Sequence, residues 1–244
     1  MRWLVVDARK RHVTLLVAAL AAALLLGWTA WSGVRGRRVG ALRPITHGDA
    51  AGHQVALTFD VDRGTSQVRA ILRELAAAEA PATFFVTERW VKEHPETAQA
   101  MIADGHSVEA SGRDYSDMSG LRRDQAASEL RGVVAAIGKA VAARPSYFRP
   151  PAGRCSDALL DAAIAEGLIP VTWSVDSADW RLSTASAIAQ RVVSAARPGA
   201  IVLLHAGDGN SLTAAALGEL VAGLRRNGLA PVRLSVLLAT EGGD

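Results

Sequence analysis

Short apolar runs alternating with amphipathic stripes constrain this chain more than any other feature. VALTF (55–59) is a compact run suited to a strand buried on both faces. After it, Val68, Ile71, Leu72 and Leu75 recur at i, i+3, i+4 and i+7, the spacing of one helical face. The alternation continues with a strand at ATFFV (82–86), a short helix from Pro95 to Ala103 and a short strand at His106-Ser107-Val108. A long helix follows, with Leu130, Val133, Val134, Ile137 and Val141 on one face, and then SYF (146–148) and a helix near 156–166. One strand at PVTWSV (170–175), a helix over about 184–196 and strand AIVLL (200–204) come next. A helix carrying Leu217, Leu220, Val221 and Leu224 and a strand PVRL (231–234) close the series. Such alternation packs as a parallel α/β sheet, open or closed. A full eight-unit barrel takes about 250 residues, more than this part of the chain has, so an incomplete or distorted (β/α) barrel is expected.

Charge divides the chain. The whole carries +3, while residues 1–52 hold eight Lys/Arg against Asp7 and Asp49, a net of +6, which leaves −3 on residues 53–244. The basic pI therefore belongs to the N-terminal part. No basic stripe with interleaved aromatics follows it, so nucleic acid is not an expected partner. From Val13 to Val34 there is no charged residue, a run long enough to cross a bilayer core of roughly 30 Å as a helix. Arg9, Lys10 and Arg11 flank one end, and Trp28 and Trp31 sit near the other. The run exceeds the ~7–15 residues of a cleavable signal's apolar region, and no clear A-x-A site follows, which favours an uncleaved anchor. The expected organisation is a cytoplasmic tail over 1–12, an anchor over 13–34, a Gly/Arg-rich linker over 35–52 and one domain over 53–240. Arg35, Arg37 and Arg38 just past the span leave orientation undecided by charge. The single cysteine, Cys155, excludes an internal disulfide and a thiolate zinc cluster.

In parallel α/β folds functional groups gather at the carboxyl ends of strands. Here Asp60 and Asp62 end the first strand, and Ser111-Gly112-Arg113-Asp114-Tyr115 follow the third. Arg149-Pro150-Pro151-Ala152-Gly153, Asp176-Ser177-Ala178-Asp179-Trp180 and His205 close later strands. One mouth would then hold carboxylates, a guanidinium and an imidazole. Structural readings stay open for the same residues: Asp60 as a helix cap, Arg149 with Asp179 as an ion pair, Asp176 as a turn residue, His205 as a core histidine. Cys155 would make a Cys-His-Asp nucleophile only if it stood beside His205. Gly207-Asp208-Gly209-Asn210 lacks phosphate-loop spacing and reads as a turn.

In this order, TFD with a following Gly, ATFFV, GH, RPP-x-G, WSVDSADW and VLLH resemble the NodB-homology polysaccharide deacetylases, carbohydrate esterase family 4, over about residues 53–240. FDVDRG, the GH segment without later histidines, LLHAGD and the apolar N-terminal run are similar to the sporulation-associated PdaB-type branch. The resemblance implies a distorted (β/α) barrel that removes N-acetyl groups from glycans with a divalent metal, zinc or cobalt. It implies Asp60 as general base on a metal-bound water and Arg149 as the arginine holding it. His205 becomes the general acid, oriented by Asp179 or its neighbour Asp176. Trp180 and Leu203 fall along the acetyl pocket, and the Ala152 backbone N–H faces the oxyanion.

The pattern also departs from the family. Val61 stands where the family has a second, metal-binding aspartate, which leaves Asp62 as a displaced substitute ligand. Ser111 and Tyr115 occupy the i and i+4 places of two histidines, and hydroxyls replace imidazoles poorly on zinc or cobalt. Ala152 replaces the usual tyrosine of the RPP motif. His106 is expected to be structural, and His53 and His94 to lie on the surface. The expected function is N-deacetylation of a peptidoglycan-like wall glycan outside the cytoplasmic membrane, in a sporulation setting. The alternative is a glycan-binding or morphogenetic pseudoenzyme that has lost its metal. A third reading is hydrolysis, metal-independent or differently metallated, through Asp60, Asp62 and Asp114.

Overall fold

The computed structural model describes residues 43–209 and 211–239, so the expected tail, anchor and first part of the linker lie outside the described residues. Among the described residues no helix is long and apolar enough to cross a membrane. The strands are β1 (Gln54–Val61), β2 (Thr83–Val86), β3 (Ser107–Ala110), β4 (Tyr147–Phe148), β5 (Ile169–Pro170), β6 (Val175–Asp176), β7 (Ile201–His205) and β8 (Ala230–Val232). Between and after them run α1 (Ser66–Ala77), α2 (Glu88–Glu93), α3 (Pro95–Ala103), α4 (Arg123–Val141), α5 (Asp157–Ala165), α6 (Ala185–Ala195), α7 (Ser211–Arg226) and α8 (Leu234–Leu237). Several starts are fixed by their own side chains: Thr87, Ser156 and Thr184 accept the N–H of Trp90, Leu159 and Ala187.

The sheet runs β5-β4-β3-β2-β1-β7-β6, every pair parallel, with β8 beside the start of β1. Its two faces do different work. Val55, Leu57, Phe59 and Val61 of β1 pack outward into the main core with the helices. The alternate residues Ala56, Thr58 and Asp60 therefore face inward, where Ala56, Phe85, Tyr147, Val171, Ile201, Leu234 and Leu237 form a second, smaller cluster. Leu234 and Leu237 come from α8, which plugs the end where β1 begins.

Chain length forces the sheet to curl. Seven strands laid flat would put the outer two roughly 29 Å apart at the usual ~4.8 Å spacing. Yet β5 and β6, at opposite ends of the strand order, are joined only by Val171–Ser174, and five steps of extended chain reach at most about 18 Å. The ends must curve toward each other, giving the half-barrel form of the expected distorted (β/α) barrel. Ile45 spans the same gap: its N–H bonds Pro170 O (2.9 Å), its carbonyl accepts from Thr172 N (2.8 Å), and Gly48 N reaches Gly199 O (2.8 Å) beyond it.

Three sequence expectations need correction here. PVTWSV is not one strand, because this segment crosses from one edge of the curl to the other and is split into β5 and β6 with a bend at Ser174. PVRL ends early: strand pairing stops at Val232, and Leu234 opens α8 with its N–H on Thr83 Oγ1 (3.0 Å). The six-residue α2 was not expected, since it is too short to show a period.

Candidate active site

Asp60 ends the inward face of β1 and is only 2% exposed. Both of its oxygens are taken. Oδ1 accepts from Arg149 Nη1 at 3.0 Å, and Oδ2 accepts from the Tyr115 hydroxyl at 2.7 Å. Arg149, fully buried just past β4, also donates from Nη2 to Thr58 Oγ1 (2.7 Å) and to the Thr172 carbonyl (3.2 Å). Its guanidinium lies 4.1 Å over the Phe85 ring and 5.7 Å from that of Trp173. Burial lowers the Arg149 pKa, and the Asp60 charge and hydrogen bond pull it back up.

A second pair stands across β7. Asp179 holds His205 twice, from Oδ1 to Nδ1 at 2.7 Å and from Oδ2 to the backbone N–H at 2.8 Å. Thr213 Oγ1 donates to the same Oδ2 at 2.8 Å. Burial alone would lower the His205 pKa, but the bond to Asp179 and the nearby Asp179, Asp60 and Asp176 charges outweigh it and raise it. Burial would raise Asp179, and its bonds with His205 and Thr213 bring it below the usual carboxylate range. With Nδ1 committed, Nε2 is the nitrogen left to donate a proton or a hydrogen bond to a ligand.

Asp60, Asp62, Arg63, Tyr115, Trp180, His205 and Gly207–Gly209 line one open cleft of about 320 Å³ at this mouth. Trp180 stands at its rim, 62% exposed. Leu203 lies one step deeper, buried on the same side of β7 as His205 and outside the cleft lining. Strain gathers here: Tyr115, Ala152 and Ala178 hold φ of 68°, 53° and 53° in three mouth loops, a backbone state costing roughly 1–3 kcal/mol each for side chains of this kind. The Ala152 N–H lies close enough to the Tyr115 hydroxyl to pull its pKa down slightly. Burial, then the Asp60 charge, push the Tyr115 pKa up, so the phenol stays protonated and serves as a donor.

A divalent ion does not fit these donors. Asp60 has both oxygens occupied, and Asp62 is bonded to Arg63 at 2.8 Å. Ser111, fully buried, gives its hydroxyl to the Arg149 carbonyl (3.1 Å), and Val61 points into the outer core. Among the described residues no three His, Cys, Asp or Glu side chains group closely enough to hold an ion, which also dissolves the Asp60–Asp62–Asp114 grouping. Asp114 instead accepts from the Ser116 N–H (3.2 Å).

Other expectations resolve locally. Arg149 pairs with Asp60 and not with Asp179. Asp176 accepts the Ala178 N–H (2.7 Å) and shapes the turn, leaving Asp179 to orient the histidine. Cys155 gives its S–H to the Gly153 carbonyl (3.5 Å) and lies outside the cleft lining. His106 accepts from Ala82 N (3.1 Å) and meets Phe84 edge-on, and burial lowers its pKa, as for a structural residue. His94 is not a plain surface residue: it is half-buried with its ring 5.5 Å from that of Trp90. Thr58 and Thr213 were missed. Thr58 sits two residues before Asp60, so strand alternation signals its shared face, whereas nothing in the sequence points from Thr213 to Asp179.

Comparison with known proteins agrees with this architecture. The family profile for polysaccharide deacetylase matches residues 47–171. A chitooligosaccharide deacetylase of Sinorhizobium fredii is 34% identical over 167 residues, 68% of this chain and 78% of that protein. The uncharacterized protein YlxY of Bacillus subtilis is 29% identical over 187 residues, 77% of this chain, which spans 58% of that relative's length. In structure, a CE4 family pseudoenzyme from Bacillus anthracis superposes with a TM-score of 0.75 at 28% identity, covering 80% of this chain and 68% of that one. A mutant of the same protein, described as having restored enzymatic activity, also gives 0.75 at 29% identity, with 80% and 71% covered. With the curled parallel sheet and the motif order, these matches establish that the chain belongs to the NodB-type polysaccharide deacetylase family.

Proposed function

We propose that this chain recognises a peptidoglycan-like wall glycan at the Asp60–His205 mouth and does not run the metal-dependent deacetylation of its relatives. One observation carries the reading: the Tyr115 hydroxyl lies on Asp60 Oδ2 at 2.7 Å while Arg149 takes Oδ1, so an ion or a base-activated water would have to compete with the phenol for that carboxylate. The likeness to a pseudoenzyme whose mutant regained activity supports it. Calorimetry of the chain with zinc, cobalt and manganese is expected to give no saturable binding at millimolar metal. Binding near one ion per chain, lost in Asp62→Ala, would sink the reading. The combination Val61→Asp, Ser111→His and Tyr115→His should gain metal affinity, and N-acetylglucosamine oligomers should bind the unaltered chain without acetate release.

A second reading, hydrolysis with Asp60 as base and His205 as acid, is favoured by the intact Asp179–His205 and Arg149–Asp60 pairs. Acetate release that disappears in Asp60→Asn, with the fold intact, would move the function to it. On either reading the domain works outside the cytoplasmic membrane, carried by the apolar residues 13–34, and sporulation is its setting. Protease digestion of spheroplasts tests the placement: a domain that survives until lysis lies inside.

A further inference from the structure

Glu109 takes part in none of the contacts at the mouth, yet it is a buried carboxylate, 6% exposed. It lies on the inward face of β3, since Val108 and Ala110 on either side pack into the outer core. No cation contributes to its charge state among the described residues. Its partners are backbone: Oε2 accepts the N–H of Ser146 (2.8 Å) and of Tyr147 (2.9 Å).

Those two amides open β4, and β4 is thinly held. It shares one registered pair with β3, Ala110 with Phe148, and two with β5. The Arg149 N–H on Ala110 O (2.9 Å) is the next bond along. A side chain thus supplies the rungs that the backbone ladder lacks where β4 begins. Arg149 follows directly, and Phe85, the register partner of Glu109, carries the Arg149 guanidinium on its ring at 4.1 Å. The carboxylate therefore holds the start of the short strand that Arg149 follows, and the guanidinium rests on the neighbour of Glu109 in β2. A slip of β4 carries Arg149 away from Asp60.

We propose that Glu109 is a positioning residue, whose two bonds to the start of β4 hold Arg149 on Asp60 and whose protonation loosens that hold. The proposal does not depend on which ligand the mouth takes. Burial pushes the carboxyl up to about 7 against the downward pull of its two N–H bonds. The titratable group facing it is the Tyr147 phenol, itself pushed up by burial and by the Glu109 charge. The acceptor therefore changes charge near neutrality, and a neutral acid accepts more weakly than a carboxylate.

Arg149 Nε is buried and has no hydrogen-bond partner, which makes its N–H a clean reporter of guanidinium position. The test follows this ¹H–¹⁵N resonance in the full chain from roughly pH 5.5 to 8.5. The expected result is a titration with its midpoint near 7, lost in Glu109→Gln. His205→Asn, which removes the imidazole of the mouth, should keep it. A resonance that stays still in the unaltered chain overturns the proposal, as does a titration that persists in Glu109→Gln or vanishes in His205→Asn. Should Glu109→Gln fail to fold, the unaltered chain and His205→Asn decide it alone.

Discussion

Arg149 uses two nitrogens to reach Asp60, Thr58 and Thr172 while its plane rests on Phe85. Removing one member of a buried pair strands the other, so Arg149→Met should cost about 3–5 kcal/mol in urea unfolding. Tyr115→Phe removes a donor to a charged acceptor and should cost about 1.5–3 kcal/mol in the same assay, with the backbone fold unchanged by circular dichroism. His205 has a distinct pH signature. Its pKa is raised in the fold, so the Asp179 pair stabilises fully below the ordinary value of 6.5, and that contribution fades as pH rises through the raised value. Thermal melts between about pH 5 and 9 should show this decline in the unaltered chain and a flatter profile in Asp179→Asn. The residues of the two pairs were legible in the sequence because each ends or closely follows a strand inside a recognisable motif. Their bonding was not. Whether Asp60 faces an ion or a phenol depends on a left-handed Tyr115 that brings its hydroxyl across 55 positions of chain, and no local pattern encodes that.

At the scale of elements, helices were read well and short strands poorly. The stripe of Val68, Ile71, Leu72 and Leu75 gives one fully buried face of α1, because a 3.6-residue period is visible over twelve residues. β4, β5 and β6 have two residues each and no period to read, so their places are decided by what they pair with. The loops joining elements at the mouth hold one another. Thr65 gives α1 no side-chain cap, and Asp208 from the β7–α7 loop supplies it instead, through Ser66 Oγ (2.8 Å) and Gln67 N (3.1 Å). Trp90 of α2 fixes the β1–α1 loop from below, with Nε1 on the Gly64 carbonyl at 2.6 Å. Gly64, at φ 64°, leaves the room Asp208 needs, since a Cβ there would overlap the carboxylate. Asp208→Ala should cost about 0.5–2 kcal/mol, the worth of a helix cap, measurable by chemical denaturation. Gly64→Ala should cost more, because strain adds to the lost bond.

For the molecule as a whole, the strand–helix series announced a parallel sheet, but not how far it curls, since curl is set by chain that crosses between the edges. The Ile45–Gly48 stretch lies in what read as linker, yet it makes three backbone bonds across that gap. A chain beginning at Asp49 should lose about 2–4 kcal/mol and melt roughly 5–15 °C lower. The crossing at Val171–Ser174 has a further meaning. Thr172 donates its N–H to Ile45 O and its carbonyl accepts from Arg149 Nη2, so one peptide unit on each side of that residue belongs to the clasp and to the site together. The clasp cannot part without loosening the guanidinium that holds Asp60. Local opening of this seam should register at the mouth, and the mouth is therefore assembled only when the two edges of the curled sheet are clasped.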